Sequence, residues 1–252
     1  MTIEAFFLCF NESRMIEHTL NYYSRFCDKI TILDNQSTDN SVSIVREKFP
    51  DVVVEEFDTN GEYREDILMN IRNNRWKGSE ADYVIMADMD EFIVDEHLLD
   101  KLEAMKRQRV AIPNITGYNM FSEIFPNDYG RLITEQVTKK FRDRTFDKKI
   151  IFSPKWVQEM NFGVGSHFCK PVYKEGVEVQ TDHSFSFNLL HFKFLAREYL
   201  YKRHRGYATR MSDVNRFLNY GQQYMLGDQH IDKAFDKIGQ FLEQKSDLVS
   251  QH

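Results

Sequence analysis

Four acidic or amide-rich segments each follow directly on an apolar run: Asn11-Glu12; Asp34-Asn35 with Ser37 and Asp39; Asp58 with Asn60; and Asp88-Met89-Asp90-Glu91. Asp88 and Asp90 alternate across a bend, so both carboxylates reach toward one hard divalent cation whose other positions are left to water and phosphate oxygens. A bare D-x-D triplet is usually a solvated turn. This one follows YVIMA and precedes Phe92-Ile93, so it is held at a buried strand end, which favours a metal–diphosphate clamp.

The elements that must position these residues are legible in the hydrophobic pattern. Ile3 to Phe10 reads as a buried parallel strand, and Ile16, Leu20 and Tyr23 mark one face of a helix between Arg14 and Phe26. Lys29 to Leu33 is a second strand closed by a turn-rich segment. A second helix carrying Val42, Val45 and Phe49 ends at Pro50. Val52 to Phe57, Arg64 to Trp76 and Tyr83 to Ala87 follow as strand, helical stretch and strand. This alternation predicts right-handed βαβ units on a parallel sheet, an α/β fold. Ligands in such sheets sit beyond the carboxyl ends of the strands, which is where all four segments fall.

Beyond Met105 the rhythm breaks. Val110 to Ile115 reads as a strand, after which Gly117-Tyr118-Asn119, Phe125 to Gly130 and FRDRTFDKK lead to the strand IIF with no crossover helix between them. That is the pattern of an irregular half carrying binding loops. Phe192, Leu195, Ala196, Tyr199 and Leu200 then fall at helical spacing, which predicts an amphipathic helix opening at His191. The chain is read as one domain over 1–252, with a nucleotide-binding half at 1–105, an acceptor-side half at 106–190 and a C-terminal helical segment at 191–252.

Composition narrows the partners. The chain has 33 basic against 39 acidic residues, a formal charge of −6, which argues against nucleic acid as a ligand. Between His191 and Arg210, however, six Lys or Arg stand against one acid, a strip suited to a confined anion such as a pyrophosphate or a lipid headgroup. Cys9, Cys27 and Cys169 form neither a disulfide framework nor a zinc spacing, which fits a reducing cytosol. The opening apolar run is interrupted by Glu4, lacks a basic lead and is too short for a signal peptide or a span. A cytoplasmic location is expected, extending to the inner face of the membrane if the basic strip meets lipid there.

FFLCFNES, ITILDNQSTDNS and YVIMADMDEF together resemble the nucleotide half of a GT-A glycosyltransferase, similar to family 2 and to the related family 92 group. The resemblance continues through GYNMFSE, DKKIIFSPKWVQEMNFGVGSHF and LLHFKFLAREY, nearly the whole chain. It implies a GT-A fold with a central mostly parallel sheet, an irregular acceptor-side half and a C-terminal amphipathic helix. It also implies Mn²⁺ or Mg²⁺ as cofactor, a UDP-sugar as donor, and a saccharide or lipid-linked saccharide acceptor in surface polysaccharide assembly. Carried over by motif, Asn11, Glu12, Asp34 and Asn35 hold uracil and ribose, Asp88 and Asp90 bind the metal, and His191 completes its shell.

The residues themselves agree at His191, where a neutral imidazole beside Lys193, Arg197 and Arg203 suits a cation and a diphosphate. Arg64 and Arg72, on the third helical stretch, are within reach of the nucleotide side. His167 lies in GVGSH, where Gly163 and Gly165 permit close approach of a sugar. The Glu-Asp pair that supplies the base in many family 2 members is not visible. The candidate bases are Glu123, first for its place after the post-metal strand, then Asp128, Glu159 and Asp182. Tyr118, Phe121, Phe125, Tyr129, Trp156 and Phe162 are candidates for an aromatic acceptor groove. Two other classes compete with the transferase reading: a haloacid-dehalogenase-type phosphohydrolase, whose D-x-D normally continues with Gly-Thr and not Glu-Phe, and a non-catalytic sugar-binding module.

Overall fold

A computed structural model of the chain describes residues 1–180 and 184–249. The elements in order are β1 (Ile3–Cys9), α1 (Ile16–Tyr23), β2 (Lys29–Asp34), α2 (Ser41–Lys48), β3 (Val53–Glu56), α3 (Glu65–Asn74), β4 (Tyr83–Asp88), β5 (Glu91–Val94) and α4 (Leu98–Gln108). The second half contributes β6 (Asn114–Ser122), α5 (Ile133–Gln136), β7 (Lys140–Arg142), β8 (Ile151–Phe152), β9 (Val157–Glu159), β10 (Val172–Tyr173) and β11 (Ser186–Leu195). The helices α6 (Arg197–Thr209), α7 (Asp213–Phe217) and α8 (Asp228–Val249) follow.

The central sheet runs β3-β2-β1-β4-β8, with the first four strands parallel and β8 antiparallel to β4. This is the mixed α/β, mostly parallel architecture that the pattern predicted, the GT-A arrangement. All seven residues of β1 are buried because the strand is covered on both faces. Ala5, Phe7 and Cys9 join Ile16, Leu20 and Tyr23 under α1, whereas Phe6 and Leu8 join Ile71 and Trp76 under α3 and the turn after it. Register then brings the strand ends into line: Leu8 pairs with Leu33 on one side and with Asp88 on the other, and Asp34 pairs with both Cys9 and Glu56. The carboxyl edge is where the acidic segments meet.

The second half is more regular than expected. A second sheet is ordered β5-β11-β6-β7. The segment Gly117-Tyr118-Asn119, read as irregular, is the middle of the nine-residue strand β6. The helix expected from His191 begins only at Arg197; residues 191–195 belong to β11, between β5 and β6. Its apolar residues are buried by neighbouring strands, so a periodicity shared by chance was read as helical, and Ala196 at φ 52° turns the chain into α6. α8 lays Ile231, Phe235 and Leu242 on Leu200 of α6 and Phe121 of β6. No described helix is long and apolar enough to cross a membrane.

Candidate active site

The strand ends, β11, α6 and the 144–167 loops enclose a cleft of about 490 Å³. Glu12, Asn35, Asp88, Asp90, His191 and Lys193 line it, six of the residues singled out in the sequence. Asp88 closes β4 and Asp90 occupies the turn into β5, which lays Glu91 opposite His191. His191 Nε2 lies 3.3 Å from Asp90 Oδ2, while its Nδ1 lies 2.7 Å from Asn119 Oδ1. The Asn119 amide is itself oriented, because its Nδ2 donates to Asp143 at 2.6 Å. Nδ1 of His191 must therefore carry the proton, which leaves the Nε2 lone pair facing a carboxylate oxygen. Burial pushes the His191 pKa down to about 4, so no second proton separates the two acceptors at neutral pH. The ring stacks on Phe146 at 4.0 Å, which fixes its plane.

Cations surround this centre. Arg203 spans from Glu12 (3.0 Å) to Asp90 (3.1 Å), and Arg72 from Glu65 (3.0 Å) to Asp88 (3.0 Å). Lys148 is paired with Glu91 beneath the floor, both essentially inaccessible, and its Nζ lies 4.0 Å from Asp88. Despite burial, Arg203 holds the Asp90 carboxyl well below the usual range, and Arg72 with Lys148 lowers that of Asp88. Burial pushes Glu12 up to about 7 against the pull of Arg203. It also lowers Lys193, which lines the cleft beside His191. On the α6 side the wall is aromatic: Tyr207 stacks on Tyr224 at 4.2 Å, and Tyr63 meets both edge-on.

Several expectations fall elsewhere. Asp34 is buried and receives the N–H (2.9 Å) and hydroxyl (2.6 Å) of Ser37, so its carboxylate shapes the loop and does not line the cleft. Asn11, at φ 56°, accepts from the N–H groups of Thr38 and Asp39 and joins the β1 and β2 loops, outside the cleft lining. Asn35 does line it, although Thr59 occupies both ends of its amide. Arg64 turns to Asp66 and Glu62; Arg197 turns to Asp232 and Asp236 of α8. Of the candidate bases, Glu123 is exposed beside α8, Asp128 is exposed and caps Gly130, and Glu159 is paired with Lys77 at 2.6 Å. None of the three lines the cleft, because each belongs to the outer surface of the second half. Asp182 lies outside the described residues.

The six aromatics expected in an acceptor groove are also absent from the cleft lining; Phe121, Phe125 and Phe162 are core, and Phe125 packs on Tyr199 at 4.7 Å. Gly163 and Gly165 make room for the rings of Phe168 and His167, since a Cβ at either would meet those side chains. Residues that the sequence reading missed are Glu65, Phe146 and Lys148. Only the antiparallel pairing of β8 brings Lys148 under Glu91, and no spacing announces such a long-range contact.

The donor set suits a divalent cation. The His191 Nε2 and the Asp90 oxygen, which Arg203 also approaches at 3.1 Å, stand 3.3 Å apart, a separation that suits two adjacent ligands of one small ion. The second ring nitrogen is tied down by an oriented amide, as ligating histidines usually are. Among the described residues no group of three or more His, Cys, Asp or Glu is placed to hold an ion alone. A hard ion here would draw its remaining ligands from water and phosphate, as Mg²⁺-type sites commonly do.

A mostly parallel sheet presents paired acids and cations at its carboxyl edge to one cleft, an arrangement that suits a sugar-nucleotide transferase of the GT-A class. Residues 6–176 match glycosyl transferase family 2, and the chain belongs to that family. No curated protein matches it. Among solved structures, S. aureus TarS 1–349 is 15% identical, with 93% of this chain and 69% of that one covered and a TM-score of 0.46. The chain spans 43% of the length of the longer TarS chain. The mannosyltransferase PcManGT of Pyrobaculum calidifontis, in complex with GDP-Man and Mn²⁺, is 17% identical over 51% of this chain and 37% of that one, with a TM-score of 0.34. Glucosyl-3-phosphoglycerate synthase of Mycobacterium tuberculosis, with Mn²⁺ and UDP, is 16% identical over 47% and 44%, with a TM-score of 0.33. Family membership sets aside the phosphohydrolase alternative.

Proposed function

We propose that the chain moves a hexose from a UDP-sugar to a hydroxyl of a saccharide or lipid-linked saccharide, with inversion and with a divalent metal, in surface polysaccharide assembly. The finer kinship with family 92 belongs to the same proposal, as does the reading of the chain as one catalytic domain. The observation that carries it is the Asp90–His191 pair: two acceptor atoms 3.3 Å apart on the floor of a cleft ringed by cations. Asp90 and His191 are the residues that would hold the metal, with Asp88, tied to Arg72, beside them on the cleft lining. When bound, Mn²⁺ or Mg²⁺ supplies positive charge to the departing diphosphate.

The chain's own residues do the rest. Lys193 and Arg203 face the region where the leaving group gains charge, which favours the transition state over the ground state. Phe10, Asn35 and Phe57, at the ends of β1, β2 and β3, form the slot for the nucleobase. Peripheral membrane contact through the basic strip has less support, because its outward residues Arg197 and Arg205 are neutralised by Asp232, Asp236 and Asp228. Calorimetric titration of UDP with and without Mn²⁺ tests the reading. Tight binding only with metal supports it; equal affinity in chelator would remove the metal from the proposal, and no binding in either condition would remove the donor.

A further inference from the structure

Two glycines and a buried glutamate build one place at the rim of the cleft. A Cβ on Gly117 would stand 2.3 Å from the carbonyl of Phe146, so β6 runs hard against the turn Arg144–Phe146. Gly165, at φ 56°, donates its N–H to Glu65 at 2.7 Å, and a Cβ there would come within 3.0 Å of His167 Nε2. Between the turn and the loop stands His167, with Nδ1 2.8 Å from the carbonyl oxygen of Thr145 and its ring edge-on to Phe146 at 5.1 Å. A carbonyl oxygen only accepts, so Nδ1 carries the proton and Nε2 holds a lone pair. Nε2 has no hydrogen-bond partner among the described residues, and the residue lines the cleft.

The carboxylates of the cleft and His191 are engaged. Glu12 and Asp90 share Arg203, Glu65 and Asp88 share Arg72, and the His191 lone pair faces Asp90. His204 has its Nδ1 buried without a partner, and its ring packs against Tyr224. Lys148, Lys193 and Asp88 are the charged groups that act on His167, whose side chain is exposed at the rim; partial desolvation by its neighbours first, then Lys148, lowers its pKa, so the ring is neutral at pH 7.

We propose that His167 is the general base of the transfer, a role that rests on the glycosyl-transfer reading above. Nε2 takes the proton as the acceptor O–H bond breaks. The acceptor oxygen bonds to the anomeric carbon, and the bond from that carbon to the diphosphate oxygen breaks. The nucleoside diphosphate leaves with that electron pair, and the imidazolium then returns its proton to water.

Hydrolysis of UDP-glucose, UDP-N-acetylglucosamine and GDP-mannose with Mn²⁺, read as nucleoside diphosphate released, needs no identified acceptor because water takes its place. His167→Gln is expected to lower kcat at least 100-fold and to abolish the acid limb of its pH profile, with UDP affinity and melting temperature unchanged. A variant within threefold of wild type, or one that retains the acid limb, would overturn the proposal. So would His204→Gln if it alone removed that limb. Nitrogen-15 spectra of the histidine rings test the same group even where hydrolysis is too slow to follow. A neutral His167 with its proton on Nδ1 is expected at pH 7, and a proton on Nε2 at that pH excludes the role. Failure of wild type to bind UDP would instead sink the transferase reading, and the base with it.

Discussion

Asp90→Asn separates the electrostatic role of this residue from its proposed part in metal binding. The sequence reading expects little change in melting temperature, since the substitution removes no core packing. The structure says otherwise, because Asp90 is 2% exposed and neutralises Arg203 at 3.1 Å. Stripping one partner from a buried pair costs about 3–5 kcal/mol when a charge is left alone. Arg203 keeps Glu12 at 3.0 Å, and an amide at position 90 donates to the His191 lone pair, so the expected loss without metal is about 1–2 kcal/mol. For a chain of this size that is roughly 3–6 °C in melting temperature.

Metal and UDP then reverse the comparison. At one hundred times the dissociation constant they add about 2.7 kcal/mol to the wild type, and a ligand loss that weakens binding about 100-fold leaves the variant only about 0.4 kcal/mol at the same concentrations. Scanning calorimetry in chelator, then with MnCl₂ and UDP, reads both effects. An equal metal-dependent rise in both proteins would refute the ligand role, and equal melting in chelator would refute the buried-pair argument.

Arg197→Ala is expected to leave kcat unchanged and to cost under about 1 kcal/mol, since its partners Asp232 and Asp236 are surface residues of α8; a tenfold fall in kcat would return Arg197 to the diphosphate. Gly117→Ala places a methyl 2.3 Å from the Phe146 backbone and should cost about 3 kcal/mol by overpacking, visible as a lowered urea midpoint; a midpoint like that of wild type would show that the turn yields freely. Burial holds the pKa of His204 down to about 4 from 6.5, so the unfolded chain binds a proton that the native one refuses as pH falls from 6.5 to 4. Stability therefore drops across that window, and His204→Phe should flatten the fall; an unaltered slope of melting temperature against pH would exclude His204 as its source.

The parallel sheet was readable because local signals agreed with the global fold. β1, β2 and β4 are apolar runs buried on both faces, each closed by polar residues, and such runs leave few alternatives. The meeting of Asp88, Glu12 and Asn35 followed from that topology alone, since parallel strands in register must bring their ends together. β11 shows where this reasoning loses its hold. Leu189 to Phe192 are buried by β5 and β6, which lie about 100 and 70 residues earlier in the chain, and nothing near His191 distinguishes a strand sandwiched by remote partners from the apolar side of a helix. The same limit governed the acids. Asp34 and Asp88 both follow buried strands, yet Ser37 claims the first carboxylate locally while Arg72 and Lys148, from two distant segments, hold the second at the cleft. Residue type and strand position select the candidates; the cations that approach from elsewhere in the fold decide which of them face a ligand.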